Sequence, residues 1–147
     1  MELRLNASAA APETFKALYA LENFLRKSGL EHSLYELVKT RASQINGCAF
    51  CINMHTKDAR AAGETEQRLF MLSVWRECSF YTPREQAALA WTEALTEIST
   101  KHAPDAEYAD MAAEFSEGEQ VNLTALIGMI NMWNRLSIGF NAPPEKG

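Results

Sequence analysis

The chain has 147 residues and contains no run of about 18 consecutive apolar residues, the length that an α-helix needs to cross a bilayer. Its first eleven residues also lack the basic stretch followed by an apolar stretch that is typical of a secretory leader. The sequence therefore predicts a cytoplasmic protein, in a reducing compartment, with no membrane partner.

Basic residues are in the minority, with 14 Lys and Arg against 19 Asp and Glu, and the formal net charge is −5 at pH 7. The Lys and Arg residues are scattered along the chain. An acidic protein without a basic cluster is not attracted to a phosphate backbone, so we expect no nucleic-acid partner. The sequence also lacks a glycine-rich phosphate loop, and we expect no cofactor.

Glycine and proline are few, with seven and five residues, and they fall between stretches of helical periodicity. The alternation of apolar and polar residues that marks a half-buried strand is scarce. These patterns predict an all-α protein of about six or seven helices. The predicted helices cover about residues 12–28, 31–44, 48–63, 65–77, 83–99, 105–115 and 117–140.

A chain of this length is expected to form one domain, spanning residues 1–147. Its core is predicted at about residues 11–140, and residues 141–147 form a loose tail. The last predicted helix is apolar around most of its circumference. Such a helix belongs at the centre of a domain or in a subunit interface, which favours a homo-oligomer over a monomer.

Only three cysteines occur, and two of them, Cys48 and Cys51, are separated by two residues. In a reducing compartment, an odd count with one close pair indicates redox or metal chemistry rather than a framework of structural disulfides. A helix turns by about 100° per residue, which puts Cys51 about 60° back from Cys48 and His55 about 40° on from Cys51. All three side chains are therefore predicted to face one side of a helix.

The reactive form of cysteine is the thiolate, and a helix N-terminus, a second nearby cysteine and an imidazole can each lower a cysteine pKa. Gly47 places Cys48 at a helix start, and His55 lies within side-chain reach of Cys51. The residues alone therefore leave open which cysteine is activated. A thiolate that attacks a peroxide becomes a sulfenic acid, which condenses with the second thiol to a disulfide. An external thiol or dithiol must then reduce that disulfide.

Two other interpretations of this motif stay open. Cys48, Cys51 and His55 are all possible zinc ligands, with Glu36 or water as the fourth, so a zinc-bound structural module is one alternative. Structural zinc sites usually draw their ligands from two separated clusters, and the sequence has no second cluster, so we expect no metal. The other alternative is a redox-responsive interaction protein, in which the disulfide changes a partner contact with little turnover.

The spacing of the four candidate site residues resembles the signature of the AhpD-like alkylhydroperoxidases, in the carboxymuconolactone decarboxylase superfamily. Eleven residues separate Glu36 from Cys48, two separate Cys48 from Cys51, and three separate Cys51 from His55. The similarity extends over about residues 11–140 to the small single-domain members. It is carried by the segments 36–47, 54–64, 75–77, 85–93 and 131–135.

The resemblance implies an all-helical AhpD-like fold, a homo-oligomer such as a trimer or hexamer, and hydroperoxide reduction by the cysteine pair. Carried over from the founding enzyme, Cys51 is the peroxidatic cysteine and Cys48 its resolving partner. Glu36 and His55 then form the proton relay. One position differs, because the founding member has a histidine directly before its second cysteine, where this chain has Phe50. The decarboxylases of the superfamily lack the cysteine pair, so its presence argues against lactone decarboxylation.

Overall fold

The computed structural model describes residues 2–146, which form nine α-helices and one 3₁₀ helix and contain no strand. The all-α class is therefore confirmed. In chain order the helices are α1 (Ala7–Ala10), α2 (Pro12–Arg26), α3 (His32–Asn46), α4 (Ala49–Ala61), α5 (Glu66–Met71), the 3₁₀ helix (Leu72–Glu77), α6 (Pro83–Thr96), α7 (Ile98–Lys101), α8 (Asp105–Glu114) and α9 (Glu117–Gly139).

The structure has more helices than the sequence predicted, because the short helix α1 was missed and two predicted helices are divided. The helix predicted at residues 65–77 changes into a 3₁₀ helix, inside which Val74 leaves the helical region with φ −123° and ψ 29°. A 3₁₀ helix has three residues per turn, so Leu72 and Trp75 lie on the same face, and both are buried. The helix predicted at residues 83–99 breaks at Glu97, after which α7 adds one turn.

The starts of α6 and α9 carry capping boxes, in which a Ser or Thr is followed three residues later by Glu. Thr82 accepts a hydrogen bond from the backbone N–H of Glu85, whose own side chain accepts one from the backbone N–H of Thr82. Ser116 and Glu119 make the same reciprocal pair at the start of α9. These side chains satisfy backbone donors that the first helical turn leaves unpaired, so both helices start where the sequence predicts.

Two helices form the centre of the fold. Helix α3 packs against α4, α6 and α9, and every residue from Leu34 to Thr40 is buried. Helix α9 packs against α2, α3, α4, α6 and α8 and buries Leu123, Leu126 and Ile130. The predicted central position of the last helix is therefore confirmed, although Val121 in its first turns is exposed.

Glu93 on α6 joins three parts of this frame. Its carboxylate accepts hydrogen bonds from Arg41 Nε of α3 at 3.0 Å, from Trp75 Nε1 at 2.8 Å and from Arg76 Nη1 at 3.1 Å. The buried carboxylate is thus satisfied by charged and neutral donors together, as buried charges require. Within residues 2–146, no helix is both long enough and apolar enough to cross a membrane.

Candidate active site

The start of α4 is set by Gly47. This residue ends α3 in the left-handed region, with φ 69° and ψ 34°, a conformation that glycine adopts without a steric penalty. The chain then turns so that Cys48 becomes the N-cap of α4, and Cys48 Sγ accepts the backbone N–H of Cys51 at 3.4 Å. The predicted position of the cysteine pair at a helix N-terminus is therefore confirmed.

Cys48 and Cys51 are joined by a disulfide, with their Cα atoms 5.3 Å apart. Each is only 1% exposed, and both pack against Ala42 and Ile130. Their access to ligands nevertheless differs. Cys51 lines a cavity of about 580 Å³, and Cys48 is not among the residues that line it. The cavity therefore borders Cys51 and not Cys48.

The cavity has a largely apolar wall. Phe15 and Tyr19 from α2 and Trp133 from α9 pack with their rings tilted by 40° to 57° and their ring centroids 5.3 to 6.2 Å apart. Phe50, directly before Cys51, also lines the cavity. Other apolar lining residues come from the N-terminal segment, α4 and the end of the chain: Leu3, Leu5, Met54, Leu136 and Phe140. This wall suits the organic part of a small molecule.

His55 lies one turn after Cys51 on α4, lines the same cavity and is 3% exposed. Its Nδ1 atom lies 3.0 Å from Oε2 of Glu36, which is also buried. With the Nδ1 proton donated to this carboxylate, the lone pair of the ring is on Nε2. The Nε2 atom is buried and has no hydrogen-bond partner among the residues of the described chain.

All four predicted site residues thus meet at one place. Glu36 on α3 contacts His55, His55 and Cys51 line one cavity, and Cys51 is bonded to Cys48. Nε2 of His32, on the solvent side, also lies 3.9 Å from Oε1 of Glu36. The arrangement offers a sulfur and an unpaired ring nitrogen to the same ligand.

Ser137 is a site residue that the sequence analysis did not identify. Its hydroxyl Oγ lies 3.7 Å from Cys51 Sγ, reaching across from α9. A hydroxyl at this position can donate a hydrogen bond to the sulfur when it carries charge. In the sequence, Ser137 is recognisable only as a small polar residue on an apolar helix, three residues after Asn134. The sequence alone could not show that Ser137 lies against α4.

Asn131 and Asn134, two amides on the apolar helix α9, hold the end of α3 in place. Asn46 Nδ2 donates to Asn131 Oδ1 and to Asn134 Oδ1, each at 2.9 Å, and Asn134 Nδ2 donates to Ser43 Oγ at 3.0 Å. Buried amides need partners of this kind. Because Asn46 immediately precedes Gly47, the network fixes the position of the turn that starts α4.

A buried ion pair forms another part of the cavity wall that sequence reasoning missed. Glu22 and Lys39 are both buried and bonded to each other, and the carboxylate also accepts hydrogen bonds from Tyr35 and, at 3.1 Å, from Trp133 Nε1. Glu22, Lys39 and Trp133 line the cavity. The sequence does contain an indication of this ion pair, because Glu22 and Lys39 each occupy a position with core spacing on an amphipathic helix.

The charge state of this pair follows from its surroundings. Burial alone would raise the pKa of Glu22, but the Lys39 charge and the hydrogen bonds from Lys39, Tyr35 and Trp133 hold that pKa below its ordinary value. Burial and the bond to Glu22 raise the pKa of Tyr35, so its hydroxyl stays protonated and donates. The indole of Trp133 is therefore held against the cavity by an ionised carboxylate.

The third cysteine and the histidine at the end of α7 lie apart from the cavity. Cys78 is a free, half-buried thiol whose Sγ lies 3.6 Å from the carbonyl oxygen of Trp75. His102 is exposed and ends α7 in the left-handed region, with φ 53°. Among groups that could hold a metal ion in residues 2–146, Glu36, His55 and Asp58 each bring one ligand atom within 4.8 Å of the other two.

Residues 12–94 match the model of the carboxymuconolactone decarboxylase family. This chain belongs to that family, as an AhpD-like member. A Bacillus subtilis relative, the uncharacterized protein YdfG, is 45% identical over 138 residues, which are 94% of this chain and 94% of that one. The family match covers α2 to most of α6 and so includes all three cysteines, Glu36 and His55.

Solved structures extend the comparison to the whole chain. A protein of unknown function from Agrobacterium tumefaciens, described as a candidate antioxidant defence protein AhpD, matches with a TM-score of 0.96 and 46% identity, over 99% of this chain and all of that one. The debrominase Bmp8 matches with a TM-score of 0.84 and 20% identity, over 93% of this chain and 74% of that one. At that identity the likeness to Bmp8 concerns the fold alone. This chain therefore shares its fold with a debrominase as well as with the A. tumefaciens protein.

Proposed function

We propose that this protein is a cysteine-based hydroperoxide reductase with Cys51 as the attacking residue. The observation that carries the proposal is that Cys51 and His55 line one apolar cavity, from which Cys48 is set back. The similarity to the A. tumefaciens protein supports an antioxidant role. The substrates are an organic hydroperoxide and an external thiol or dithiol, and we propose no cofactor and no catalytic metal.

The first half of the reaction consumes the hydroperoxide. His55 Nε2 takes the proton of the Cys51 thiol, and the thiolate attacks the outer oxygen of the bound hydroperoxide. The O–O bond breaks, Cys51 becomes a sulfenic acid, and the alkoxide leaves with the proton that His55 returns. Glu36 orients the imidazole and stabilises its charged form, and Ser137 donates to the sulfur.

The second half restores the thiols. The Cys48 sulfur attacks the Cys51 sulfenic acid, water leaves, and the Cys48–Cys51 disulfide forms. The net change is two thiols and one hydroperoxide converted into one disulfide, one alcohol and one water. An external dithiol then reduces the disulfide by exchange and becomes oxidised itself. We further propose that the chain forms a single domain and that it catalyses this reaction in the cytoplasm. In this proposal the active protein is a trimer or hexamer.

The test is a single-turnover reaction of the fully reduced chain with cumene hydroperoxide, followed by thiol counting and intact mass. We expect wild type to lose two of its three thiols and about 2 Da, since a disulfide forms with loss of two hydrogens. A sulfenic acid should be trapped in Cys48→Ser and not in Cys51→Ser. Cys78→Ser is the matched control and should react like wild type.

Each result has a clear meaning. Trapping in Cys51→Ser alone would assign the attack to Cys48 and overturn the proposed role of Cys51. Thiols that survive a large excess of peroxide would overturn the function itself. A redox-responsive interaction protein would then be the better interpretation, provided that disulfide formation by another oxidant changes its binding to a partner.

A further inference from the structure

Trp133 connects the aromatic part of the cavity wall to the cysteine pair. Its ring centroid lies 5.6 Å from that of Phe15 and 5.3 Å from that of Tyr19. The same side chain packs against the buried cluster that contains Cys48 and Cys51. Trp133 and Cys51 also line the same cavity, so the indole forms part of the surface around the sulfur that the proposed reaction uses.

A buried carboxylate fixes the orientation of this indole. Trp133 Nε1 donates a hydrogen bond of 3.1 Å to Oε2 of Glu22, whose other oxygen, Oε1, accepts hydrogen bonds from Lys39 and Tyr35. Burying a charge is costly unless it is paired and hydrogen-bonded, so rotation of the indole would leave the Glu22 carboxylate with one donor fewer. A side chain held in this way is preorganised, and little conformational entropy is lost when a ligand packs against it.

The cavity is larger and less polar than hydrogen peroxide requires. Its volume of about 580 Å³ falls within the range of roughly 300–1,000 Å³ that is typical of sites for organic ligands. Phe50 and Phe140 line it in addition to the three tilted rings. Aromatic rings prefer tilted or offset neighbours with centroids about 4.5–7 Å apart, and such pairs are more favourable than their buried area alone would make them. The cavity therefore suits a ligand with an aromatic ring better than a short aliphatic one.

We propose that this protein reduces hydroperoxides that carry an aromatic group, and that Trp133 determines this specificity. The aromatic group packs against the indole and the ring of Tyr19, and the hydroperoxide oxygens lie beside Cys51 and His55, which line the same cavity. Glu22 is a positioning residue, because it acts on the substrate only through Trp133. The reaction in this inference rests on the proposed function, whereas binding of the aromatic group needs only the cavity.

The test compares cumene hydroperoxide with tert-butyl hydroperoxide, two tertiary hydroperoxides in which a phenyl group replaces a methyl group. The measurement is the second-order rate constant for oxidation of the fully reduced protein by each. The ratio of the two constants cancels any effect of a variant on the thiol itself. Relative to the ratio measured with a free small thiol, we expect wild type to favour cumene hydroperoxide by roughly tenfold or more, because the phenyl group is buried against other rings.

Substitutions in the wall should remove this preference. Trp133→Leu should bring the ratio close to that of the free thiol. Tyr19→Leu should also lower it, and because Tyr19 is 54% exposed this change should leave the fold intact. Trp133→Phe should give an intermediate ratio. Its matched control is Trp91→Phe, which should keep the wild-type ratio, because Trp91 donates to Thr124 Oγ1 at 3.0 Å and is not among the residues lining the cavity.

A pair of double variants tests the positioning role of Glu22. In both of them Lys39→Met removes the buried cation, so that no charge is left unpaired. Glu22→Gln keeps an oxygen that can accept the Trp133 N–H, whereas Glu22→Leu does not. We expect the double variant with Gln to keep the wild-type ratio and the one with Leu to lower it by roughly two- to tenfold, the effect of one hydrogen bond. Equal ratios in the two would reject the positioning role.

Binding of the product alcohols separates this inference from the proposed function. Cumyl alcohol and tert-butanol are the alcohols that the two hydroperoxides leave, and neither oxidises a thiol. The disulfide form, labelled with fluorotryptophan, should give one fluorine NMR signal for each of its three tryptophans, and Trp133→Phe identifies the signal of Trp133. We expect cumyl alcohol to shift this signal at concentrations where tert-butanol does not.

Each outcome decides one of the two proposals. A shift of the Trp133 signal in a protein that does not react with peroxide would support the aromatic site and reject the peroxidase. A protein that is oxidised by both hydroperoxides in the same ratio as a free thiol would keep the peroxidase and overturn the specificity. The specificity would also be overturned if cumyl alcohol left the Trp133 signal unchanged up to its solubility limit, or if Trp133→Leu and Tyr19→Leu both kept the wild-type ratio.

Discussion

At the residue scale, the chemistry depends on how two buried groups share one proton. His55 and Glu36 are both nearly inaccessible and form a hydrogen bond of 3.0 Å. A carboxylate that orients an imidazole fixes which ring nitrogen carries the proton and stabilises the charged ring. In the proposed reaction the imidazole is the acid and base, and Glu36 acts through it as a positioning residue.

Substitutions at this pair should reduce the rate of peroxide reaction by different amounts. We expect His55→Gln to lower the second-order rate constant by roughly 10²–10⁴-fold, because it removes the proton-transfer group. Glu36→Gln should lower it by roughly 10–100-fold, because the imidazole stays but loses its orienting carboxylate. The measurement is stopped-flow loss of reduced protein against cumene hydroperoxide over a range of pH.

The pH profile separates these roles from a general structural defect. The pH dependence of the rate should differ from that of wild type in both His55→Gln and Glu36→Gln, because each change alters the group that transfers the proton. Lys57→Gln, an exposed change on the same helix, is the matched control and should keep the wild-type rate and profile. If His55→Gln kept the wild-type rate and the wild-type pH profile, His55 would have no part in the mechanism.

At the element scale, the turn between α3 and α4 decides where the disulfide lies. Gly47 adopts φ 69°, and the Asn46 side chain ties the same turn to α9 through two hydrogen bonds of 2.9 Å. A left-handed residue at this point lets α3 end and α4 start within two residues. The cysteine pair therefore stands at a helix N-terminus because one glycine permits the turn.

Replacing this glycine should cost stability. We expect Gly47→Ala to lower the free energy of unfolding by about 1–2 kcal/mol, since a side chain is disfavoured in the left-handed region. Gly118→Ala is the matched control, because Gly118 is an exposed glycine of α9 at an ordinary φ with open space around it. That change should raise stability by roughly 0.5–1 kcal/mol. Urea denaturation at equilibrium measures the free energy of unfolding of both variants. Equal changes in Gly47→Ala and Gly118→Ala would contradict the assigned role of Gly47.

At the scale of the whole molecule, many large apolar side chains remain on the surface of the single chain. Phe24, Phe70 and Val121 are 60%, 75% and 68% exposed. Monomeric proteins seldom leave extensive apolar surface uncovered, so exposed groups of this kind commonly mark contact sites. This exposed apolar surface supports the proposed self-association.

We therefore expect a homo-oligomer in solution. Sedimentation equilibrium should give three or six times the mass of one chain, because burial of these side chains between subunits removes apolar surface from water. A concentration series provides the control, since a specific oligomer keeps one mass over a wide range whereas nonspecific aggregates grow. A single-chain mass at tens of micromolar protein would reject the expectation.

The sequence by itself determined the features that depend on neighbours along the chain. Helical periodicity gave the class, the capping residues Thr82 and Ser116 gave helix starts, and Gly47 gave the start of the cysteine helix. The spacing of Cys48, Cys51 and His55 indicated a common face because a helix has a fixed rotation per residue. Each of these features depends only on residues that are close together along the chain, so a single sequence was sufficient to predict it.

Only the tertiary structure decided which distant residues meet. Ser137 reaches Cys51 across 86 positions, and Trp133 reaches Glu22 across 111. Nor could a local pattern show that Cys51 faces the cavity while Cys48 does not. Packing of α2, α4 and α9 around α3 creates the cavity, and burial favours partners from other helices for polar groups there, as Glu22 has in Lys39 and Trp133. Such contacts depend on where the helices pack, which periodicity within one helix does not encode.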